Sequence, residues 1–123
     1  MKNLEELIVQ LRAFVADRDW AQFHSPKNLS MALSVEAAEL LEIFQWLTEE
    51  QSRSLDADKR ARVSEEVADI FNYLLLICDK LDIDLVTEAK KKIAKNMEKY
   101  PAELVKGSAE KPNSIRPRGD SEK

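Results

Sequence analysis

Apolar residues recur at helical spacing along most of this chain. Leu4, Leu7, Leu11, Phe14 and Val15 predict a first helix over about Leu4 to Asp17. Asn3 stands where a cap belongs, with Glu6 three residues later in capping-box register. The segment "DRDWAQFHSPKN" breaks the period while keeping its aromatics. Pro26 disfavours a helical Ser25, so this stretch reads as a loop or short irregular turn. A second helix is expected from about Leu29 to Leu47, with Leu33, Ala37, Leu40, Phe44 and Leu47 as its main core stripe. After the polar connection "TEEQSRSLDADKR", a third helix begins near Asp58 to Arg62 and ends around Leu81. Its residues Val63, Val67, Ile70, Leu74, Ile77 and Leu81 alternate by four and three, a coiled-coil-like seam. Asp84 is placed to cap a fourth helix from Leu85 to about Tyr100, which Pro101 stops. Val86, Ala89, Ile93 and Met97 give that helix an apolar edge. Short connections between such helices predict an all-α, antiparallel four-helix bundle.

Composition narrows this picture. A chain of 123 residues suits one domain, here expected over residues 1–105, with a polar C-terminal tail over 106–123 that is mobile or ordered only against a partner. A net charge of −4 without a long basic run argues against binding a nucleic acid polymer. It leaves room for a small phosphorylated ligand that brings its own metal. Cys78 is the only cysteine, which excludes an intramolecular disulfide, and its apolar helix predicts a buried, inert thiol. No uninterrupted apolar run approaches membrane-spanning length, and the first residues are too charged for a signal segment; a cytoplasmic protein is expected.

The chemistry concentrates in two acid pairs. Within "VEAAELLEIFQW", Glu36 and Glu39 share a helical stripe with Leu29, Ala32, Ile43 and Trp46. On the third helix Glu66 and Asp69 share one with Tyr73 and Leu76. If the two helices pack side by side, four carboxylates converge. Two unit charges about 4 Å apart repel by roughly 4 kcal/mol at an effective dielectric near 20. Several such pairs rival the whole stability of a small domain, about 5–15 kcal/mol. The cluster must therefore take up protons, find cations, or not converge. No Lys or Arg lies on either stripe. An all-oxygen donor set suits a hard divalent ion, Mg²⁺ with Mn²⁺ as substitute. A di-iron bundle would want Glu-x-x-His, and the single histidine, His24, lies outside both pairs. One acid pair alone reads as solvated surface; two, each followed by an aromatic on an apolar stripe, favour a metal site. With no thiol or Ser–His nucleophile in evidence, water is the expected attacking group.

Other residues carry weaker signals. Trp20 and Trp46 offer flat faces on which a nucleobase stacks, worth about 1–3 kcal/mol per base in single-strand systems. Large aromatics on apolar stripes are otherwise core, the reading preferred for Phe44 and Phe71. Lys92, Asn96 and Lys99 share one helical face, which taken alone is a solvated face.

Glu36-x-x-Glu39, followed some two dozen residues later by Glu66-x-x-Asp69, resembles the signature of the MazG-like all-α nucleotide pyrophosphohydrolases. "RDWAQFHSPKNL", "ELLEIFQW" and "KYPAEL" resemble its dCTP pyrophosphatase branch, so that the similarity runs from Leu4 to about Leu104. The resemblance implies Mg²⁺-dependent hydrolysis of a (deoxy)nucleoside triphosphate, with dCTP or a related pyrimidine nucleotide as substrate, to the monophosphate and pyrophosphate. It implies a homo-oligomer, a tetramer built as a dimer of dimers. By position, Glu36, Glu39, Glu66 and Asp69 are the implied catalytic metal ligands. Trp20, Phe23, His24, Trp46 and Tyr73 match base- and sugar-pocket positions, and Lys92, Asn96, Lys99 and Tyr100 match phosphate-binding positions. Two departures touch base preference: Leu11 stands where animal members place a substrate-contacting His, and Lys99 stands for a more usual Arg. The competing expectations are a non-catalytic helical module docking a partner protein, and a relative preferring dUTP or diphosphates.

Overall fold

A computed structural model describes residues 3–109, and every regular element among them is helical. In chain order these are α1 (Leu4–Asp17), a 3₁₀ turn (Ala21–Phe23), α2 (Pro26–Phe44), α3 (Glu49–Ser52), α4 (Ala57–Leu81), α5 (Leu85–Lys99) and α6 (Ala102–Val105). The all-α expectation holds. The tail expected from residue 106 lies outside the described residues beyond 109.

The helix starts are set by short polar side chains. Ser25, in extended conformation, accepts a hydrogen bond from the Asn28 backbone N–H, and Pro26 takes the first helical position. The second helix therefore begins at Pro26, three residues before the expected Leu29, because Pro at that position sacrifices only an N–H that has no partner anyway. Asp56 caps α4 by accepting from the Lys59 N–H, slightly ahead of the expected start. Thr48 and Gln51 form a reciprocal capping box that nucleates α3 inside the polar connection. Asp84 caps α5 as expected, accepting from the Thr87 N–H. Asn3 precedes α1 but its side chain makes no capping bond to the helix.

Two helices end alike. After α4, Asp82 adopts a left-handed conformation (φ 56°), and the Ile83 N–H reaches back 2.8 Å to the Cys78 carbonyl. After α1, Asp19 does the same (φ 54°), with the Asp19 and Trp20 N–H groups each 3.0 Å from the Ala16 and Val15 carbonyls. These are Schellman closures in which Asp stands where Gly is usual. The closure after α1 fixes where Trp20 leaves the helix.

The chain forms two compact units, one through Ile83 and one from Asp84. In the first, α2 lies along α4, and α1 packs more lightly on α4. Val15, Leu29, Ile43, Leu75 and Cys78 are its buried apolar residues, and Leu29 and Leu75 are only 1% exposed. Burying such a side chain contributes about 1.5–3 kcal/mol. Burial raises the Cys78 thiol pKa, in keeping with an inert buried cysteine.

The core stripes differ from the expectation. On α2 the fully buried residues are Leu29 and Ile43, members of the acid-bearing stripe, while Leu33, Leu40 and Phe44 are half-buried and Ala37 is exposed. On α4 the expected seam is loosened at Val67 and Leu81, both exposed, and Leu75 and Cys78 are buried instead. Both helices are apolar over most of their circumference, so periodicity alone did not choose the facing stripe. Arg12 fastens α1 to α4: its Nε donates to both carboxylate oxygens of Asp79 at 3.1 and 3.0 Å, and its Nη2 donates to Oδ1. The guanidinium holds the Asp79 carboxyl below its usual pKa.

In the second unit, α5 carries exposed Val86, Ile93 and Met97, while Asn96 and Tyr100 are half-buried. Pro101 separates it from α6. The second helix-like turn at "KYPAEL" was not expected; Leu104 and Val105 N–H groups both donate to the Pro101 carbonyl.

Candidate functional site

Because α2 and α4 run alongside each other, their acid pairs meet. One carboxylate oxygen from each of Glu36, Glu39 and Glu66 lies within 4.8 Å of the others. Asp69, one turn further along α4, stands outside this triad but adds its charge to both Glu36 and Glu39. Glu36 and Glu66 are half-buried, and Glu39 is exposed.

Electrostatics record the crowding. Glu36 is raised from 4.5 to about 7, first by sharing a proton with Glu66, then by burial and by the charges of Glu39, Asp69 and Glu66. Glu39 is raised chiefly by the charge of Glu66, with burial next. Glu66 Oε1 is buried and, with both carboxylates charged, has no hydrogen-bond partner. A buried oxygen of that kind costs about 1–3 kcal/mol or more unless a proton or a cation satisfies it. The donor set is all oxygen, two helices supply it, and one atom in it lacks a partner. These residues fit a hard divalent ion.

A cavity of about 310 Å³ opens beside the acids. One wall is a single face of α4: Asp69, Asn72, Tyr73 and Leu76, spaced three and four apart. The opposite wall is a face of α1, Leu11, Phe14 and Val15, continued by Trp20 and His24. Asp69 thus belongs to both the acid neighbourhood and the cavity. The Tyr73 phenol is raised by burial and then by the charges of Glu36 and Asp69. Trp20 meets Phe14 edge to face, ring centroids 5.7 Å apart. The Arg18 guanidinium sits 3.8 Å over the other aromatic of that pair, Phe14, and donates to the Phe14 carbonyl. This stack, together with the helix closure at Asp19, holds an indole that is still 43% exposed. An exposed, braced aromatic face suits a flat ligand better than a core.

Of the expected pocket residues, Trp20, His24 and Tyr73 line this cavity. Phe23 and Trp46 do not; Trp46 is 85% exposed because α2 stops at Phe44, two residues short of it. Lys92, Asn96, Lys99 and Tyr100 belong to the second unit, where the Lys99 Nζ lies 5.6 Å from the Tyr100 ring centroid. Phe14, Val15, Asn72 and Leu76 were not foreseen as lining residues. For Asn72 and Leu76 the signal was available, since they fall three and seven residues after Asp69.

Over residues 31–113 the chain matches the MazG-like family. It is 40% identical over 119 residues to dCTP pyrophosphatase 1 of Mus musculus, a match covering 95% of this chain and 69% of that protein. The corresponding protein of Homo sapiens, also dCTP pyrophosphatase 1, is 38% identical over 111 residues, a match covering 89% of this chain and 65% of that protein. Among solved structures, a pyrophosphatase from Archaeoglobus fulgidus superposes with a TM-score of 0.76 at 42% identity, covering 80% of this chain and 92% of that one.

Proposed function

This chain belongs to the MazG-like family, and we propose that it hydrolyses (deoxy)nucleoside triphosphates, dCTP or a related pyrimidine nucleotide first among them, to the monophosphate and pyrophosphate. The observation that carries this reading is the convergence of Glu36, Glu39 and Glu66 beside a cavity walled by Trp20 and Tyr73. An acid triad alone is ambiguous. An acid triad joined through Asp69 to an aromatic slot has a place for phosphates and a place for a base.

Glu36, Glu39 and Glu66 would hold Mg²⁺, or Mn²⁺ in its stead, with Asp69 adjoining them. The ion supplies charge neutralisation for the phosphate chain and makes a bound water more acidic. Glu36 or Glu39, whichever carboxylate faces that water, would take its proton. Trp20 and Tyr73 hold the base in the slot, and His24 closes its wall. Lys92 and Asn96, with Lys99 and Tyr100, are assigned to the phosphates by resemblance to the family.

A homo-oligomer belongs to the same proposal, a tetramer arranged as a dimer of dimers. Val9, Leu41, Trp46, Ile93 and Met97 are large apolar residues at least 59% exposed, more than a lone small domain needs to show water. A neighbouring copy then brings Phe23 and Trp46 into contact with base or with apolar surface. We further propose a single catalytic domain over residues 1–105 and a cytoplasmic location; among the described residues no helix is long and apolar enough to cross a membrane.

The test is product analysis after incubation with dCTP, dUTP, dTTP and dATP, each with Mg²⁺. Release of pyrophosphate and monophosphate in equal amounts supports the reading. Orthophosphate release, or no release from any nucleotide, contradicts it.

A further inference from the structure

Among the residues lining the cavity, Asn72 is the one neutral side chain carrying both a donor and an acceptor for which no role has yet been given. It sits on α4 between Asp69, which joins the slot to the acids, and Leu76 at its far end. The Trp20 indole and the Tyr73 ring line the same slot. Among the described residues its carboxamide makes no hydrogen bond, although mid-helix Asn commonly bonds back to the preceding turn. An amide left unpaired in a predominantly apolar slot is positioned to pair with what enters it.

We propose that Asn72 reads the hydrogen-bonding edge of the base and makes the slot accept both cytosine and uracil rings. This rests on the nucleotide reading above and deepens it. A carboxamide presents one oxygen acceptor and an NH₂ donor side by side. Cytosine presents an amino donor beside a ring-nitrogen acceptor, and uracil presents a carbonyl acceptor beside a ring N–H donor. The two edges are mirror patterns, and an amide meets either one by turning over. Discrimination between them needs a neighbour that fixes the amide's orientation. Among the described residues no side chain hydrogen-bonds the Asn72 carboxamide, and the slot therefore selects the pyrimidine edge without choosing between its two forms.

The experiment measures binding of dCMP and dUMP to the full-length protein by quenching of tryptophan fluorescence, for the wild type, Asn72→Leu and Asn72→Asp. Wild-type affinities for the two monophosphates are expected within about tenfold of each other. Asn72→Leu, which removes both hydrogen bonds, weakens both by about tenfold or more while its thermal melt stays that of the wild type. Asn72→Asp at about pH 8.5 only accepts, so it keeps one bond to either edge, from the cytosine amino group or the uracil ring N–H, and sets its second oxygen against that edge's acceptor. It weakens dCMP and dUMP alike, by about tenfold or more, and leaves their affinity ratio within about threefold of the wild type, while deoxyribose 5-phosphate, which has no base and is measured by competition, binds both proteins equally. Weakening of deoxyribose 5-phosphate to match that of the nucleotides, which would set the amide at the sugar, overturns the proposal, as does an Asn72→Asp protein that binds either nucleotide as the wild type does. Wild-type discrimination beyond about a hundredfold also overturns it. Because binding is read without turnover, a wild type that binds both monophosphates but hydrolyses no triphosphate refutes the reaction and leaves this inference standing.

Discussion

Glu36 of α2 and Glu66 of α4 face each other closely enough to share a proton, and the buried Oε1 of Glu66 has no other partner. Two helices that bury Leu29, Ile43, Leu75 and Cys78 also bring like charges together. The favourable burial of apolar surface supports an unfavourable electrostatic arrangement, as is common where a site must bind a cation.

Removing one of the paired charges should make the metal-free protein more stable and the enzyme inactive. Glu66→Gln is expected to raise the melting temperature at pH 8 in the presence of EDTA, because it relieves repulsion and lets its amide donate to Glu36. The same variant is expected to lose at least about a hundredfold in Mg²⁺-dependent pyrophosphate release. Differential scanning fluorimetry and a release assay read the two effects. A variant less stable than the wild type in EDTA would mean that the cluster is not strained.

The pH dependence has a definite sign. Glu36 titrates near 7 in the folded chain against 4.5 ordinarily, so the metal-free folded state binds the extra proton between those values. The stability from that proton is complete below about pH 4.5 and is lost as pH rises through 7. A divalent ion needs the carboxylate bare, so its affinity rises over the same window and its binding releases protons. Calorimetric titration with Mg²⁺ in two buffers of different ionisation enthalpy measures that release. It should be substantial at pH 6 and small at pH 8.

Trp20 is braced by Phe14 and by the turn at Asp19, and its outer face is free for a ligand. Trp20→Ala should raise KM for dCTP by about 10- to 100-fold, the worth of one stacked base, while kcat changes less. Trp20→Phe should recover most of the loss. Equal loss in both variants would assign the indole to packing.

Leu29 and Leu75 anchor the α2–α4 contact from opposite helices. Leu29→Ala and Leu75→Ala should each cost about 2–5 kcal/mol in urea unfolding, whereas Leu41→Ala, on an exposed position, should cost far less in a monomeric reference state. A similar cost at all three positions would mean that the buried stripe has been misassigned.

Much of this was legible in the sequence, and the misses have physical causes. The long helices, the Asp84 cap and the inert Cys78 follow from local periodicity and capping chemistry, which act within a few residues. The acid pairs could be matched to each other because their spacing repeats. Which stripe of α2 faces α4 could not be read, since Leu33, Leu40 and Phe44 are as apolar as Leu29 and Ile43, and two glutamates on the true facing stripe count against it. On α4 the run Leu74–Leu75–Leu76–Ile77 has no phase at all. Trp46 looked like part of the Glu36–Glu39 stripe only on the assumption that α2 continues, and the Thr48–Gln51 capping box starts a new helix instead. The α1 wall of the cavity depends on a long-range contact, tied by Arg12 and Asp79 across 67 residues, that no local pattern announces.

The central claim is that the carboxylates of Glu36, Glu39 and Glu66 together hold one hard divalent cation. Titration of the purified protein with Mn²⁺, read by electron paramagnetic resonance as loss of the free-ion signal, tests it without any substrate. The account predicts saturable binding to the wild type, competed by Mg²⁺ and lost in Glu36→Gln and Glu66→Gln alike. Binding that is absent from the wild type, or undiminished in both variants, would contradict it.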